Sequence, residues 1–363
     1  MSPTASGAVG AVKRRPLVTI ALFLVAVLTT SLIVEVRLHS APSVQGQPAL
    51  STEQLSTLSI AASCAPEGPC YGLDGTGNLG PITGGQLQIT TNLAQVLGGL
   101  AQGPSLTFNQ LSCPRRNDCV AATNLGLVRD NEGALTSFTP WWLLEGGIDL
   151  LSCTTSSLCV GASLDRGATD ATMVRSTDGG TTWLQVPLPG GVVLADLWCG
   201  DTGWCLALGA RGGRAVALVS TDAGAAWSTR SAAGLDPSAL PQSLACATST
   251  YCVATGSGAP RSSSNGGSAW KTVEGPLGDL GAVTCTVDLS CVLLEATSKP
   301  SATVSTTANL GASWTTRALA GAIGASAQPA SSQPASISCT VASRCVATTA
   351  SGAFGFTAPR AER

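Results

Sequence analysis

Six charged side chains in the middle of the chain are the ones best suited to bind an anionic ligand. Guanidinium groups bind carboxylate and phosphate through paired hydrogen bonds, and neighbouring carboxylates can position them. The six residues are Asp165, Arg166, Asp170, Arg211, Arg214 and Arg261. They predict an anion-binding patch. The alternative is that these charges solvate loops and keep a charge-poor chain soluble.

Composition removes most of the groups that catalyse reactions. The only histidine, His39, lies near the N-terminus, and the two tyrosines, Tyr71 and Tyr251, lie beside cysteines. Carboxylate pairs remain, and we expect them in short, Gly-rich loops open to water, where neither acid would stay neutral. The acids concerned are Glu145, Asp165, Asp170 and Asp196. We therefore predict no catalytic residue, no cofactor and no metal.

Two adjacent tryptophans, Trp141 and Trp142, are candidates for partner contact. Exposed aromatic side chains dominate many protein and glycan interfaces. The alternative is a structural tryptophan displaced along the chain by a lengthened turn.

Overall charge excludes some classes of partner. The chain has 363 residues, of which 11% are charged, and its formal net charge is −2. That balance excludes a basic nucleic-acid-binding protein. The 44% of apolar residues can form a large core, and the preference for arginine over lysine suggests a GC-rich bacterial source.

The cysteines define a repeat. Every cysteine belongs to a pair with five residues between its members, and the pairs recur every 39 to 54 residues. They are Cys64/Cys70, Cys113/Cys119, Cys153/Cys159, Cys199/Cys205, Cys246/Cys252, Cys285/Cys291 and Cys339/Cys345. Two cysteines that flank a hairpin lie about 5 Å apart, as a disulfide requires. Zinc is the alternative, but its cysteine pairs are usually closer in sequence.

A second motif, S-x-D-x-G-x-x-W, falls between the cysteine pairs. Aspartate or asparagine accepts backbone hydrogen bonds in a turn, glycine supplies a positive φ, and tryptophan packs between sheets. Its copies are Ser176, Asp178, Gly180, Trp183; Ser220, Asp222, Gly224, Trp227; Ser263, Asn265, Gly267, Trp270; and the looser Thr307, Asn309, Gly311, Trp314. Residues 90–97 and 129–136 resemble weakened copies.

This motif resembles the Asp box, or BNR repeat, of sialidase-like propellers. The layout is most similar to propellers of the photosystem II stability and assembly factor type, and the resemblance covers residues from about 57 to 358. It implies an all-β, seven-bladed propeller of four-stranded blades. In such folds the box is structural, so the resemblance implies nothing about activity. It places ligands on the face opposite the boxes and disulfides.

The ring is predicted to close across the two ends of the repeat region. The last repeat offers strands at 336–339, 345–349 and 353–358, and lacks a fourth. A strand around 48–52, ahead of the first inner strand at 58–63, can supply it and remove two exposed edges. The propeller is therefore predicted to span residues 48–358, followed by a tail, 359–363.

The N-terminal segment predicts export. An uncharged, largely apolar run at 16–34 follows Lys13, Arg14 and Arg15, and it places the predicted anchor at 17–36. The run is long enough to span a bilayer, and the basic cluster keeps residues 1–16 in the cytoplasm. We expect a single-pass anchor in a bacterial plasma membrane, a tether at 37–47 and an extracytoplasmic propeller. A cleaved signal peptide with secretion is the alternative.

These features together predict a monomeric, membrane-anchored propeller that binds or scaffolds a protein or glycan of the cell envelope without catalysis. The alternative is a glycoside hydrolase, sialidase-like or acting on polysaccharides. A sialidase would need an arginine cluster, a tyrosine nucleophile and acidic partners on one face, and the sequence offers only part of that set.

Overall fold

The computed structural model is a ring of seven β-sheets, or blades, arranged around a central channel. It describes residues 50–54, 59–84, 86–98, 106–140, 147–155, 157–164, 171–256, 258–273, 281–286, 290–295, 303–320, 336–340, 344–349 and 352–358. In each blade the second strand is almost wholly buried, as in Cys159–Ala162 and Cys252–Gly256. Apolar clusters fill the seams between neighbouring blades. The predicted seven-bladed propeller is confirmed.

The first three blades use strands of unequal length. Blade 1 contains β2 (Ser59–Cys64), β3 (Cys70–Asp74), β4 (Asn78–Thr83), β5 (Gln86–Leu87) and β6 (Thr91–Asn92), followed by helix α1 (Leu93–Gly98). Blade 2 contains β7 (Phe108–Arg115), β8 (Asp118–Thr123), β9 (Gly126–Asn131) and β10 (Ala134–Pro140). Blade 3 contains β11 (Leu150–Cys153), β12 (Cys159–Ala162), β13 (Met173–Ser176) and β14 (Leu184–Val186).

The remaining blades follow the same order, and the last one borrows a strand. Blade 4 contains β15 (Val192–Cys199), β16 (Cys205–Arg211), β17 (Arg214–Ser220) and β18 (Ser228–Ser231). Blade 5 contains β19 (Ser243–Cys246), β20 (Cys252–Gly256), β21 (Gly258–Ser263) and β22 (Lys271–Thr272). Blade 6 contains β23 (Gly281–Cys285), β24 (Cys291–Glu295), β25 (Thr303–Thr307) and β26 (Thr315–Ala320). Blade 7 contains β27 (Ser336–Cys339), β28 (Arg344–Thr349), β29 (Gly352–Thr357) and β1 (Leu50–Gln54).

The ring closes through β1, which begins two residues later than the sequence predicts. Thr52 of β1 pairs antiparallel with Phe356 of β29. Leu50 also pairs in parallel with Leu319 of β26, so blades 6 and 7 form one eight-stranded sheet. Because β1 covers the outer edges of both β26 and β29, closure removes two edges that would otherwise be exposed.

All seven cysteine pairs form the predicted disulfides. Each links the end region of an inner strand to the start region of the second strand, with Cα–Cα distances of 3.8 to 4.1 Å. The two cysteines face each other at a non-hydrogen-bonded position, since the flanking residues Thr154 and Leu158, for example, make the backbone bond. Such positions bring the Cα atoms closest together, which explains a spacing below the expected 5 Å. Each short loop contributes about 2 kcal/mol in the chain-entropy model.

The predicted start of the second strand of blade 7 at Cys345 is wrong by one residue. Cys345 forms its disulfide with Cys339, at a Cα–Cα distance of 4.1 Å, but β28 already begins at Arg344. Arg344 pairs with Thr357 of β29, and its carbonyl accepts the N–H of Thr340 at 2.8 Å. Cys345 is therefore a buried position inside the strand, because pairing continues one residue beyond the disulfide toward the turn.

Blade 1 departs from the predicted pattern. Residues 90–97 do not form a turn of the repeated type; they form β6 and then α1. The Asn92 side chain accepts a hydrogen bond from the backbone N–H of Gln95 at 2.6 Å, which caps the helix. The weakened motif at this position is therefore a helix start.

No helix within the described residues is long and apolar enough to cross a membrane. The predicted anchor at 17–36 and tether at 37–47 lie outside the described residues.

Candidate functional site

The central channel forms a cavity along the axis of the ring. It has a volume of about 750 Å³ and is lined by the inner strands of all seven blades. One end, here called the disulfide-side mouth, is formed by turns that follow the first cysteines and include Thr155, Asp201, Thr202, Trp204 and Ser249. A preformed cavity with a few polar groups is the usual form of a ligand site.

Serine hydroxyls join the blades along part of the channel wall. Ser63, directly before Cys64, accepts a hydrogen bond at 2.9 Å from the backbone N–H of Cys113 in the next blade. The same bond recurs from Ser112 to Cys153, from Ser152 to Cys199 and from Ser338 to Cys64. These bonds supply partners for backbone groups that β-pairing within each blade leaves open.

This serine series is interrupted at blade 4, where Trp198 occupies the position before the cysteine. Blades 4 and 5 are joined from the position three residues before the first cysteine, where Asp196 Oδ2 accepts the N–H of Leu244 at 2.5 Å. Gln110 of blade 2 and Ser243 of blade 5 make the same bond from the equivalent position. The other oxygen of Asp196 accepts the N–H of Leu197 at 2.8 Å. A register shift between Leu194 and Asp196 lies at this position, and a bulge can redirect a side chain within a strand.

Asp196 contradicts the expectation that the acids lie in open, wet loops. It lies within β15 and its side chain is buried. Desolvation raises the pKa of Asp196 to about 7, against the two backbone hydrogen bonds, which lower it. The carboxyl group therefore titrates near neutral pH, although its hydrogen bonds connect blades 4 and 5.

Two tryptophans stand together at the disulfide-side mouth. The ring centroids of Trp198 and Trp204 are 6.1 Å apart and the rings are inclined at 55°. Both side chains are half-buried and line the channel. Trp198 also packs against the clusters on both sides of blade 5. Blade 4 thus contributes this aromatic pair to the channel lining, to which Asp196 and Asp201 also belong.

The predicted anion patch is only partly assembled among the described residues. Arg211 and Arg214 are exposed and directly opposite each other, across a Gly-Gly turn at the end of β16 and β17. Arg261 lies within β21, where its guanidinium donates to the Thr272 hydroxyl at 2.9 Å. Asp165, Arg166 and Asp170, like Trp141, Trp142 and Glu145, lie outside the described residues.

Both tyrosines have structural surroundings. The Tyr71 hydroxyl donates to Asn117 Oδ1 at 2.8 Å and accepts the backbone N–H of the same residue. Burial raises the pKa of Tyr251 to about 12. Its hydroxyl faces the Cα of Gly311 in blade 6, where a Cβ would lie 2.0 Å away. Each side chain therefore packs against a turn of the next blade.

The four turns that carry the S-x-D-x-G-x-x-W motif share their backbone hydrogen bonds, and three of them also share the indole bond. Gly180 N–H donates to the Ser176 hydroxyl at 2.8 Å, and Thr182 N–H donates to Asp178 Oδ1 at 2.9 Å. The Trp183 indole donates to the Gly180 carbonyl at 3.1 Å. At Gly180, with φ of 89°, a Cβ would lie 2.8 Å from Val120 of the preceding blade.

These turns lie on the same edge of each blade as the disulfides. Cys159 pairs with Ser176, Cys205 with Ser220, Cys252 with Ser263 and Cys291 with Thr307. The motif tryptophans pack into the seam with the preceding blade, as Trp227 and Trp270 show. In blade 6 the indole N–H of Trp314 is buried without a hydrogen-bond partner among the described residues.

Blade 2 uses charged groups at the corresponding position. Asp130 pairs with Cys119 where the four blades with the motif have serine or threonine, and it accepts a 2.5 Å hydrogen bond from Thr91 of blade 1. Arg129 donates to Asp118 and to the carbonyl of Asp178 in blade 3. The predicted weakened copy at 129–136 therefore connects three blades.

We expect Asp178→Ala to destabilise the propeller by about 1 kcal/mol, the typical net contribution of a hydrogen bond. Desolvation raises the pKa of Asp178, but hydrogen bonds from Thr182, Ser176 and Thr181 lower it to about 2, so the carboxylate is ionised at neutral pH. Chemical denaturation measures the loss, and Asp178→Asn, which keeps an accepting oxygen, is the control. An unchanged stability in the alanine variant would contradict a structural role.

Comparison with known proteins identifies the fold. No protein-family model and no curated protein sequence matches the chain. Among solved structures, virginiamycin B lyase from Staphylococcus aureus is 11% identical with a TM-score of 0.59, over 85% of this chain and 97% of that one. The WD40 repeats of RRP9 are 9% identical with a TM-score of 0.57, over 85% and 99%. These likenesses show the propeller fold alone.

A glycoside hydrolase shares the fold in the same distant way. The GH74 enzyme of Niastella koreensis is 15% identical with a TM-score of 0.57, over 85% of this chain. The present chain spans 53% of that enzyme, about half its length.

Sequence reasoning missed the channel residues of blade 4. Trp198 and Trp204 lie directly beside Cys199 and Cys205 in the sequence, so the sequence alone suggests only a structural role for them. A signal was present, because four other repeats have serine directly before the first cysteine and blade 4 has tryptophan. Asp196 gave no such signal, since its burial depends on a bulge and on a neighbouring blade.

Proposed function

We propose that this chain is a non-catalytic binding or scaffold module of the cell envelope. Residues 17–36 would anchor it to the plasma membrane, with the propeller on the extracytoplasmic side and the disulfide-side mouth as its contact region. We also assign the four motif turns to the Asp-box, or BNR, type, on the geometry shared by Ser176, Asp178, Gly180 and Trp183.

The disulfides support the extracytoplasmic location. All fourteen cysteines are paired in disulfides, and structural disulfides persist mainly in oxidising compartments. Each disulfide lies inside one blade, so oxidation stabilises the scaffold without linking blades to each other.

The observation that favours binding over hydrolysis is the use made of the channel acids. Asp196 accepts backbone N–H groups with both oxygens, Asp149 accepts the N–H of Leu164, and Asp201 accepts the N–H of Thr155. A glycoside hydrolase needs two carboxyl groups that face each other across the scissile bond. These acids instead hold backbone segments in place, while the Trp198–Trp204 pair leaves an aromatic surface at the mouth.

Site-specific photocross-linking in intact membranes tests the proposal. A photoreactive phenylalanine analogue at Thr202, in the mouth, is expected to give a reproducible adduct with an envelope component. The same analogue at Leu184, exposed on the outer strand of blade 3, is the matched control and should give none. An adduct from Arg214 alone would favour the predicted arginine patch as the contact region.

Turnover assays separate the two functional classes. The purified chain should release no sugar from sialosides, β-glucan or xyloglucan. Turnover that disappears in Asp165→Asn or Asp170→Asn would overturn the scaffold proposal and support a glycoside hydrolase.

A further inference from the structure

The channel combines two features that point to the charge of its ligand. Its described lining contains three acidic side chains, Asp149, Asp196 and Asp201, and no lysine, arginine or histidine. Asp196 supplies only part of a negative charge at neutral pH, because burial raises its pKa to about 7. In a cleft that has charges of one sign and apolar walls, the electric field is focused, and ions of the opposite sign become concentrated there. The channel is therefore unfavourable for anions and favourable for cations.

Arg115, near the turn between β7 and β8, lies outside the lining. The Arg115 guanidinium donates to the Thr155 carbonyl and the Ser157 hydroxyl, and it lies 3.8 Å from the Asp118 carboxylate. Arg115 therefore stabilises the adjoining turns of blades 2 and 3. No described basic side chain of the lining neutralises the acidic side chains of the channel.

The aromatic pair supplies the second feature. The rings of Trp198 and Trp204 are inclined to each other at 55°. The quadrupole of an indole ring attracts a cation that lies within about 6 Å of the ring face. Asp196 and Trp198 are two residues apart in β15, so both project toward the same side of the strand, and both line the channel. Asp201, in the following turn, is exposed at the mouth.

We infer that the disulfide-side mouth binds an alkylammonium or guanidinium group against Trp198 and Trp204, with Asp201 as its counter-charge. This inference rests on the proposed binding function and adds the ligand's chemical class. The group could belong to a lysine or arginine side chain of a protein partner or to a free polyamine, since both present the same charge on an apolar stem.

Titration calorimetry with the full chain in neutral detergent tests the inference. The probes are a short arginine-containing peptide, the same peptide with citrulline in place of arginine, and spermidine. We expect the arginine peptide to bind, the citrulline peptide not to bind, and affinity to fall as salt is raised from about 0.05 to 0.5 M. Tighter binding of the peptide than of spermidine identifies a protein side chain as the source, and the reverse identifies a polyamine.

Variants locate the site. Trp204→Leu and Asp201→Asn are each expected to weaken binding of the cationic probe about tenfold. Asp236→Asn, which removes an exposed acid outside the channel, is the charge-matched control and should leave affinity unchanged. Because Trp204→Leu could disturb folding, its melting curve is compared with the parent's, and the exposed Asp201 provides the independent variant.

Three results would overturn the inference: no binding of either cationic probe, equal binding of the arginine and citrulline peptides, or unchanged affinity in both channel variants. The proposed function has a separate readout. If the cationic probes fail while Thr202 still yields its adduct, only the ligand class is wrong.

Discussion

A chain that begins at Ser59, and so lacks β1, is expected to lose its monomeric folded state. All five residues of β1 are paired, Leu50 and Ser51 with β26 and the other three with β29. At about 1 kcal/mol for each backbone hydrogen bond, the loss is on the order of 5 kcal/mol. That amount is comparable with the whole stability of many proteins, and it leaves two strand edges free to aggregate.

Size-exclusion chromatography and thermal melting measure this effect. The control begins at Pro48, with both versions exported by the same foreign leader, and it should remain monomeric with the parent's melting temperature. Addition of a peptide spanning residues 48–58 should partly restore the truncated chain. A truncated chain that stays monomeric and melts like the control would show that β1 is not the closing element.

The free energy of unfolding is expected to fall by about 4 kcal/mol between pH 4 and pH 7 because of Asp196 alone. Burial raises the pKa of Asp196 from 3.8 to about 7 in the folded chain, so the folded state binds a proton that the unfolded state releases in this range. This contribution to the free energy of unfolding is fully present below pH 4 and is lost as the pH rises to 7. Each unit of difference between the folded and unfolded pKa values corresponds to about 1.36 kcal/mol.

Urea denaturation across this pH range, compared with Asp196→Asn, isolates the effect. The asparagine variant cannot titrate, so the slope of its unfolding free energy against pH should be shallower by about one proton. Other buried acids with raised pKa values, Asp130 and Glu295, remain in both chains and cancel in the comparison. Identical slopes would contradict the raised pKa of Asp196. Asp236→Asn, at an exposed site, controls for general charge effects.

The features that sequence predicts well are those fixed over a few residues. Cys153 and Cys159 are joined by one turn, so their spacing alone determines that they can meet. The turn at Ser176 to Trp183 is equally local, because its hydrogen bonds join residues at most four apart. Repetition of both patterns then gives the number of blades. Closure by an N-terminal strand followed from counting strands in the last repeat.

The features that sequence does not predict depend on the register between blades. The bond from Leu244 to Asp196 joins residues 48 apart, and nothing local to either residue indicates it. The same holds for Ser152 and Cys199. The Trp198–Trp204 pair is close in sequence, but its position at the channel mouth requires the whole ring. The resemblance to Asp-box propellers predicts ligands on the opposite face, and we propose the disulfide-side mouth from the structure.

The closing strand also imposes an order of events during synthesis. The ribosome delivers β1 first, but its partners β26 and β29 are among the last strands to be made. Each hairpin disulfide can form as soon as its own few residues meet an oxidant, whereas β1 must wait until the chain is nearly complete. Until then, the sheet of blades 6 and 7 lacks the strand that joins β26 to β29. A chain that is truncated near its C-terminus cannot close, so only full-length molecules become sealed rings, and incomplete ones keep free strand edges that expose them to chaperones and proteases.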